Sequence, residues 1–111
     1  MVKKVIKIPL DNDSRIIVVF QRERNEIVNF VVVLETKLKD FWYKFYEWGQ
    51  VLRFDNAHGY PHMDKLDKYG NKIEILKFDY LTSKEALTIS IDLIKNNYKD
   101  FVKSFLGNNG D

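Results

Sequence analysis

The chain has 111 residues, which is enough for one domain with a single core. Its 18 Lys and Arg residues nearly balance 16 Asp and Glu residues, so charge alone neither predicts nor excludes a nucleic-acid partner. The absence of cysteine excludes disulfides, thiol catalysis and cysteine-ligated zinc. No apolar run reaches the roughly 18 residues of a membrane span, and we expect a cytoplasmic protein without membrane contact.

The first part of the chain predicts strands joined by short turns. The segment "KVIKI" ends at Pro9, the turn cluster "DNDSR" leads into "RIIVVFQRE", and "RNE" precedes "IVNFVVVLE". The last of these segments is apolar at both alternating sets of positions, which is typical of a central strand that is covered at least in part on both sides. Short connections between consecutive strands indicate an antiparallel meander.

The middle of the chain is harder to assign. In "TKLKDFWYKFYEWGQVLRFD", the piece "KLKD" predicts a turn, and "FWYKFYEW" favours a strand, with a short amphipathic helix as the alternative. Gly49 indicates a turn or a bulge. The piece "VLRFD" predicts a strand with Val51 and Arg53 on one face and Leu52 and Phe54 on the other. The chain then turns at "NAHGYP" and returns, and "KYGN" precedes the last strand, "KIEILKF".

The aromatic run from Phe41 to Trp48 has two interpretations. Rings with lysines nearby are found where proteins stack on single-stranded nucleic acid. We favour the other interpretation, in which the run supplies core on one face and an oligomer contact on the other. The rings are too many for one face of a modest core, so we expect a homodimer or an antitoxin complex, with some of these side chains exposed in the monomer: Trp42, Tyr43, Phe45, Tyr46 and Trp48.

After Asp79 the apolar period changes to that of a helix, with spacings of three and four. Thr82 and Glu85 have capping-box spacing at its start, and Gly107 marks its end. The fold class is therefore α+β: an antiparallel sheet of about five strands with one long C-terminal helix on one face. Residues 1–107 form a single domain and 108–111 a frayed tail. The predicted buried stripe consists of Leu87, Ile91, Ile94, Tyr98, Phe101 and Phe105.

The stretch "RFDNAHGYPH" holds both histidines of the chain. Arg53 and Asp55 leave the same face of the predicted strand, and the turn allows His58 and His62 to fold back toward them. Two imidazoles and a cation suit metal-free RNA cleavage, in which the histidines act as base and acid and arginine holds the phosphate. Tyr60 and Lys65 add a hydroxyl and an ammonium group for substrate binding.

The same stretch has two other interpretations. His58 and His62 with one carboxylate, Asp55 or Asp64, form a donor set that suits zinc or iron. Alternatively, "DNAHG" is a well-formed turn without a function, and Arg53 and Asp55 make a surface ion pair. Turn chemistry alone favours this last interpretation.

Residues 51–74, "VLRFDNAHGYPHMDKLDKYGNKIE", resemble a family of small, mostly archaeal, uncharacterised proteins with the core V-V-R-Y-D-x-A-H-G-x-x-H. Phe54 stands where tyrosine is common, and "SKEALTISIDLIKNNYKDF" fits the helical end. The chain is also distantly similar to TumE-like toxins of toxin–antitoxin pairs, whose core is Y-D-N-x-x-G-K-x-D-H-x-H. Phe54, Asp55, Asn56, Gly59 and His62 can be placed on that core, whereas its Lys-x-Asp-His part is absent.

The resemblance implies a small α+β toxin-like protein acting on RNA or another nucleic-acid substrate, with an antitoxin as protein partner. We expect a metal-independent ribonuclease without a cofactor. The rival hypothesis is a non-enzymatic binding or assembly module that uses the aromatic run as its interface. The expected catalytic residues are His58, His62, Arg53 and Asp55, the expected substrate-binding residues are Tyr60 and Lys65, and the alternative metal ligands are His58, His62 and Asp64.

Overall fold

An antiparallel sheet with a C-terminal helix packed against it makes up the fold of the computed structural model, which describes residues 2–39 and 45–107. This confirms the α+β prediction, with six strands among the described residues rather than about five. The elements are β1 (Val2–Pro9), β2 (Ser14–Glu23), β3 (Glu26–Lys39), β4 (Tyr46–Asp55), β5 (His62–Leu66), β6 (Lys72–Lys77) and α1 (Ser83–Gly107).

The six strands lie in sequence order and each pairs antiparallel with the next, as the short turns predict. Residues directly opposite each other point to the same side of the sheet, so the register defines two faces. We call the side that packs on α1 the covered face, and it carries Ile16, Val18, Val32, Leu34, Leu52 and Phe54. We call the other side the open face, and it carries Arg15, Ile17, Val31, Val33, Arg53, Asp55, His62 and Asp64.

The helix begins with the capping box that the sequence predicts. The Glu85 amide donates to Thr82 Oγ1 at 3.1 Å, and the Thr82 amide donates to Glu85 Oε1 at 2.9 Å. Ile94 and Phe105 of the predicted stripe are buried, and Leu87, Ile91, Tyr98 and Phe101 are partly buried against the core. Ala86 and Ser90 are also buried, which adds two small residues to the predicted apolar stripe.

A β-bulge in β4 changes which side chains of that strand share a face, so the predicted assignment is wrong at Val51. Glu35 pairs with Gln50 and Leu34 with Leu52, which leaves Val51 as an extra residue. Val51 lies in the core with Leu52, so it does not share the face of Arg53 as the alternation in "VLRFD" predicts. The bulge has a consequence for the other end of the strand, because it brings Tyr46, Trp48 and Gln50 onto the open face together with Arg53 and Asp55.

The predicted turn at "KLKD" is wrong for its first three residues, because β3 continues to Lys39. Phe41, Trp42, Tyr43 and Lys44 lie outside the described residues, as does the tail 108–111. The remainder of the aromatic run is strand from Tyr46 onward. The helix Ser83–Gly107 lacks an apolar stretch of the length that a membrane crossing needs, and the described residues contain no other helix that has one.

Candidate functional site

The stretch that holds both histidines forms the corner between β4 and β5 on the open face. Asp55 ends β4 and His62 begins β5, and these two residues pair directly. Arg53 and Asp64 form the next pair along the strands. Because opposite residues share a face, the register places all four side chains together. The structure thus brings together three of the four predicted catalytic residues, Arg53, Asp55 and His62, with Asp64 of the alternative metal set.

The turn between the strands is held by backbone geometry and by Asn56. Gly59 has a φ of 86°, which a residue with a side chain rarely adopts, and its amide donates to the Asn56 carbonyl at 3.1 Å. The Asn56 side chain accepts from the Phe30 amide and donates to the Val28 carbonyl and to Ser83 Oγ. Asn56 therefore ties the corner both to β3 and to the start of the helix.

Asp55 has three polar contacts within the corner. Arg53 Nε donates to its Oδ2 at 2.8 Å, the Ala57 amide donates to its Oδ1 at 3.0 Å, and His62 Nε2 lies 3.2 Å from Oδ1. Burial by itself raises the pKa of Asp55, but the hydrogen bonds from Arg53 and Ala57 and the charges of His62 and Arg53 hold that pKa below its ordinary value. The carboxylate is thus an anion that fixes its neighbours.

The two histidines occupy different environments. His62 is only 3% exposed, and its ring nitrogens face oxygens on both sides, Asp55 Oδ1 at 3.2 Å from Nε2 and the Tyr60 carbonyl at 3.4 Å from Nδ1. His58 is exposed, and its ring lies 5.2 Å from the ring of His62. The pair is therefore not two equivalent acid–base groups: His58 is open to a substrate, whereas His62 is held by the chain.

Asp64 completes the buried part of the corner. It is 4% exposed, and its Oδ2 lies 3.8 Å from His62 Nε2 and 3.3 Å from Lys72 Nζ. Its Oδ1 is buried without a hydrogen-bond partner in the part of the chain that the structure describes. One ligand atom each from Asp55, His62 and Asp64 lie within 4.8 Å of one another. The candidate metal ligands in the structure are therefore Asp55, His62 and Asp64, with Asp55 instead of the His58 that the sequence predicted.

The two predicted substrate-binding residues lie in different places. Tyr60 packs in the turn, with its ring 5.7 Å from that of His62 and with Lys77 Nζ 5.5 Å from its own centroid. Lys65 pairs with Leu52, which places its side chain on the other side of the sheet, where its Nζ lies 3.7 Å from Glu74. Lys65 is therefore not part of the corner. The lysine that reaches the corner is Lys72, and its position there depends on the pairing of β5 with β6.

The corner opens into a cavity of about 550 Å³ between β4 and the β5–β6 turn. Arg53, His58 and Lys72 line it together with Trp48 and Gln50. Away from the cavity, the open face continues across the sheet as a surface of rings and cations. Arg15 lies 3.7 Å from the centroid of Trp48, and Lys37 lies 4.5 Å from that of Tyr46.

The model of one protein family, described as a domain of unknown function and designated DUF7718, matches residues 1–111. The chain belongs to this family. No curated protein and no solved structure matches the chain significantly. The family description names no activity, so the chemistry of this DUF7718 member has to be inferred from its own open face.

Proposed function

We propose that this chain binds RNA along the open face of its sheet and cleaves it at the corner, as a relative of TumE-like toxins acting in the cytoplasm. One observation carries the proposal. An exposed imidazole, His58, lies against a buried imidazole–carboxylate pair, His62 and Asp55, at the edge of a solvent-open cavity. An accessible imidazole whose neighbours fix its surroundings is the usual proton-transfer group near neutral pH.

The open face supplies what a single strand of RNA needs for binding. Trp48 and Tyr46 present rings on which bases can stack, and Tyr46 is 53% exposed. The register places a set of cations on the same side for the phosphates: Lys3, Lys7, Arg15, Lys37, Lys39, Arg53, Lys72 and Lys77. Four of these cations also have acidic partners, which they share with any phosphate: Arg15 with Glu35, Lys39 with Asp13, Arg53 with Asp55 and Lys72 with Asp64.

The proposed reaction is transfer of the phosphoryl group to the neighbouring 2′-oxygen. His58 accepts the proton of the 2′-hydroxyl, the 2′-oxygen forms a bond to phosphorus, and the bond from phosphorus to the 5′-oxygen breaks. Water at the open face protonates the departing oxygen. Arg53 holds the charged phosphate oxygens. His62 acts as a positioning residue, since Asp55 and the Tyr60 carbonyl occupy its nitrogens.

The test is an RNA-cleavage assay with purified protein and variants of the corner. His58→Ala should lower the cleavage rate by about 10²–10⁴-fold, because it removes the proton-transfer group. Arg53→Gln should lower it as well, while Arg53→Lys should recover part of the loss, because lysine keeps the charge but not the two-pronged hydrogen bonding. Circular dichroism should show that the fold of each variant persists.

Tyr69→Ala is the matched control. Tyr69 is an exposed ring, 80% accessible, in the next turn of the chain. Its removal should leave cleavage at the wild-type rate. Equal cleavage by wild type and His58→Ala on a mixed panel of single-stranded and structured RNAs would contradict the proposal.

A second function, assembly, is favoured by the exposed aromatic residues Phe45 and Tyr46, which are 72% and 53% accessible. We propose assembly as the alternative to base stacking at Tyr46: the two rings then contact a second copy of the chain, with an antitoxin as the other candidate. Apolar rings clustered at a surface commonly mark a protein contact. Sedimentation should show a dimer that the double change Phe45→Ser and Tyr46→Ser converts to monomer, and a wild-type monomer would remove this assignment to a second copy.

A further inference from the structure

We propose that Asp55, His62 and Asp64 bind one divalent metal ion of the zinc or manganese class. The three residues lie on adjacent strands of one rigid sheet, and each is at most 4% exposed. One imidazole nitrogen and two carboxylate oxygens form a donor set that suits these ions, whereas magnesium prefers oxygen ligands alone.

The spacing of the donor atoms fits such an ion. His62 Nε2 lies 3.2 Å from Asp55 Oδ1 and 3.8 Å from Asp64 Oδ2. Ligand bonds of about 2.0–2.2 Å at tetrahedral angles place two donor atoms about 3.3–3.6 Å apart. These two separations bracket that range, and all three donor atoms lie within 4.8 Å of one another, so binding requires side-chain movements that draw the three atoms to one ion.

Asp64 provides an independent reason to expect a ligand. Its Oδ1 is buried and has no hydrogen-bond partner within the described part of the chain. A buried carboxylate oxygen without a partner costs free energy, and sequences rarely retain one without a compensating group. A cation supplies that group when Asp64 binds it through both oxygens, with Oδ2 on the side of His62 and Oδ1 as the second contact.

The other nitrogen of His62 has the environment that metal-bound imidazoles usually have. Its Nδ1 faces the Tyr60 carbonyl at 3.4 Å. A proton on Nδ1 donated to that carbonyl leaves Nε2 free of hydrogen, and its lone pair then points toward the two carboxylates. A backbone carbonyl behind a ligating imidazole in this way fixes the ring and its tautomer.

Lys72 and Arg53 compete with the proposed ion. Lys72 Nζ lies 3.3 Å from Asp64 Oδ2, but its side chain is 53% exposed and can move away. Arg53 holds Asp55 Oδ2 and leaves Oδ1 directed toward His62. The cavity as a whole is lined by more carboxylates than cations, which favours a positive ion: Glu47, Asp55, Asp64 and Asp67 against Arg53, Lys68 and Lys72.

A divalent ion also changes the net charge of the side chains that line this cavity from negative to positive. A phosphate group requires a positive charge at its binding site. In that respect the inference rests on the proposed RNA cleavage, but metal binding itself does not. Binding is measured without RNA, so the two proposals fail separately. His58→Ala should lower the cleavage rate by about 10²–10⁴-fold while leaving metal affinity unchanged, because His58 is not among the three clustered ligands.

The experiment uses the full chain stripped of metal by chelator and dialysis. Zn²⁺, Mn²⁺ and Mg²⁺ are titrated in turn by calorimetry, and the unfolding temperature is recorded with each ion. Zn²⁺ and Mn²⁺ should bind at one per chain and raise that temperature, with Mg²⁺ much weaker. Asp64→Asn should lower Zn²⁺ affinity by more than about 100-fold, since changes behind the ligands alone cost about 10–100-fold.

Lys72→Met should change the Zn²⁺ affinity in the opposite direction to Asp64→Asn. Removing the competing ammonium should tighten Zn²⁺ binding about two- to fivefold, the equivalent of an exposed ion pair. This variant changes a half-exposed side chain, so it keeps the test decisive if Asp64→Asn does not fold. Asp92→Asn, an exposed carboxylate on the helix, is the control and should bind like wild type.

Three results would overturn the assignment. They are an absence of Zn²⁺ and Mn²⁺ binding to wild type, wild-type Zn²⁺ affinity in folded Asp64→Asn, and unchanged or weaker binding in Lys72→Met. Loss of Zn²⁺ binding in His58→Ala would place the ion on the two histidines instead and would equally overturn the Asp55–His62–Asp64 set.

Discussion

The two faces of the sheet bury their residues in different ways. On the covered face, Ile16, Val32 and Leu34 are fully buried under the helix, and nonpolar packing is enough to stabilise them. On the open face, the corner buries Asp55, His62 and Asp64, which are 3–4% exposed although the helix lies on the other side. Because buried polar groups require partners, the open face depends on specific hydrogen bonds where the covered face depends on volume.

The difference shows why the same strands serve both purposes. Alternate residues of β4 point to opposite sides, so Phe54 enters the core while Arg53 and Asp55 reach the corner. A rigid hydrophobic layer thus holds the site residues from behind. Changes on the covered face should affect stability before chemistry, and changes on the open face should affect chemistry before stability.

The largest expected effect is on the covered face. Ile94 of α1 is 0% exposed, so Ile94→Ala should lower the free energy of unfolding by about 2–5 kcal/mol through lost burial and the cavity left behind. Denaturant titration followed by circular dichroism measures the change. Ile73→Ala, at a position 60% exposed on β6, is the control and should stay within about 0.5 kcal/mol. Equal effects of the two changes would show that the covered face is not the main core.

The next largest effect is a difference in unfolding free energy between changes at the two buried carboxylates of the open face. Asp55 accepts from Arg53 and Ala57, so Asp55→Asn should cost about 1–3 kcal/mol. Asp64 has an unpartnered Oδ1 within the described chain and a half-exposed ion pair with Lys72, so Asp64→Asn should stay within about 0.5 kcal/mol in the presence of chelator. Urea titrations of both variants in one buffer make the comparison. A larger loss in Asp64→Asn would reverse the ranking and assign Asp64 a structural role.

The smallest expected effect is the pH dependence of the helix cap. Hydrogen bonds from the backbone and side chain of Thr82 hold the pKa of Glu85 below its ordinary value. A carboxylate with a lowered pKa in the folded state adds stability above its unfolded pKa, and this contribution disappears as pH falls through the lowered value. Glu85→Gln keeps the acceptor but does not titrate. Unfolding temperatures from neutral to acid pH should therefore fall slightly more steeply for wild type, and parallel curves would contradict this role of Glu85.

The chain's local patterns predicted much of the fold because they depend on neighbouring residues only. The spacing of apolar residues after Asp79, the Thr82–Glu85 cap and Gly107 define α1 to within a residue or two. The predicted exposure of part of the aromatic run is confirmed at Phe45 and Tyr46, while Trp42 and Tyr43 lie outside the described residues. The proximity of Arg53 and Asp55 also followed from alternation along one strand.

The sequence by itself determined the fold class, the helix and the stretch that forms the corner. Only the tertiary structure decided which groups meet there. Lys72 reaches Asp64, and Lys65 does not, because the pairing of β5 with its neighbours sets the face of each side chain. The bulge at Val51 turns Trp48 and Tyr46 onto the open face. Gly49, two residues away, indicated a turn or a bulge, but only the pairing with β3 fixes which residue is extra and which side chains change face. The two histidines differ for the same reason: burial depends on contacts between distant segments, whereas periodicity depends on neighbours in the chain.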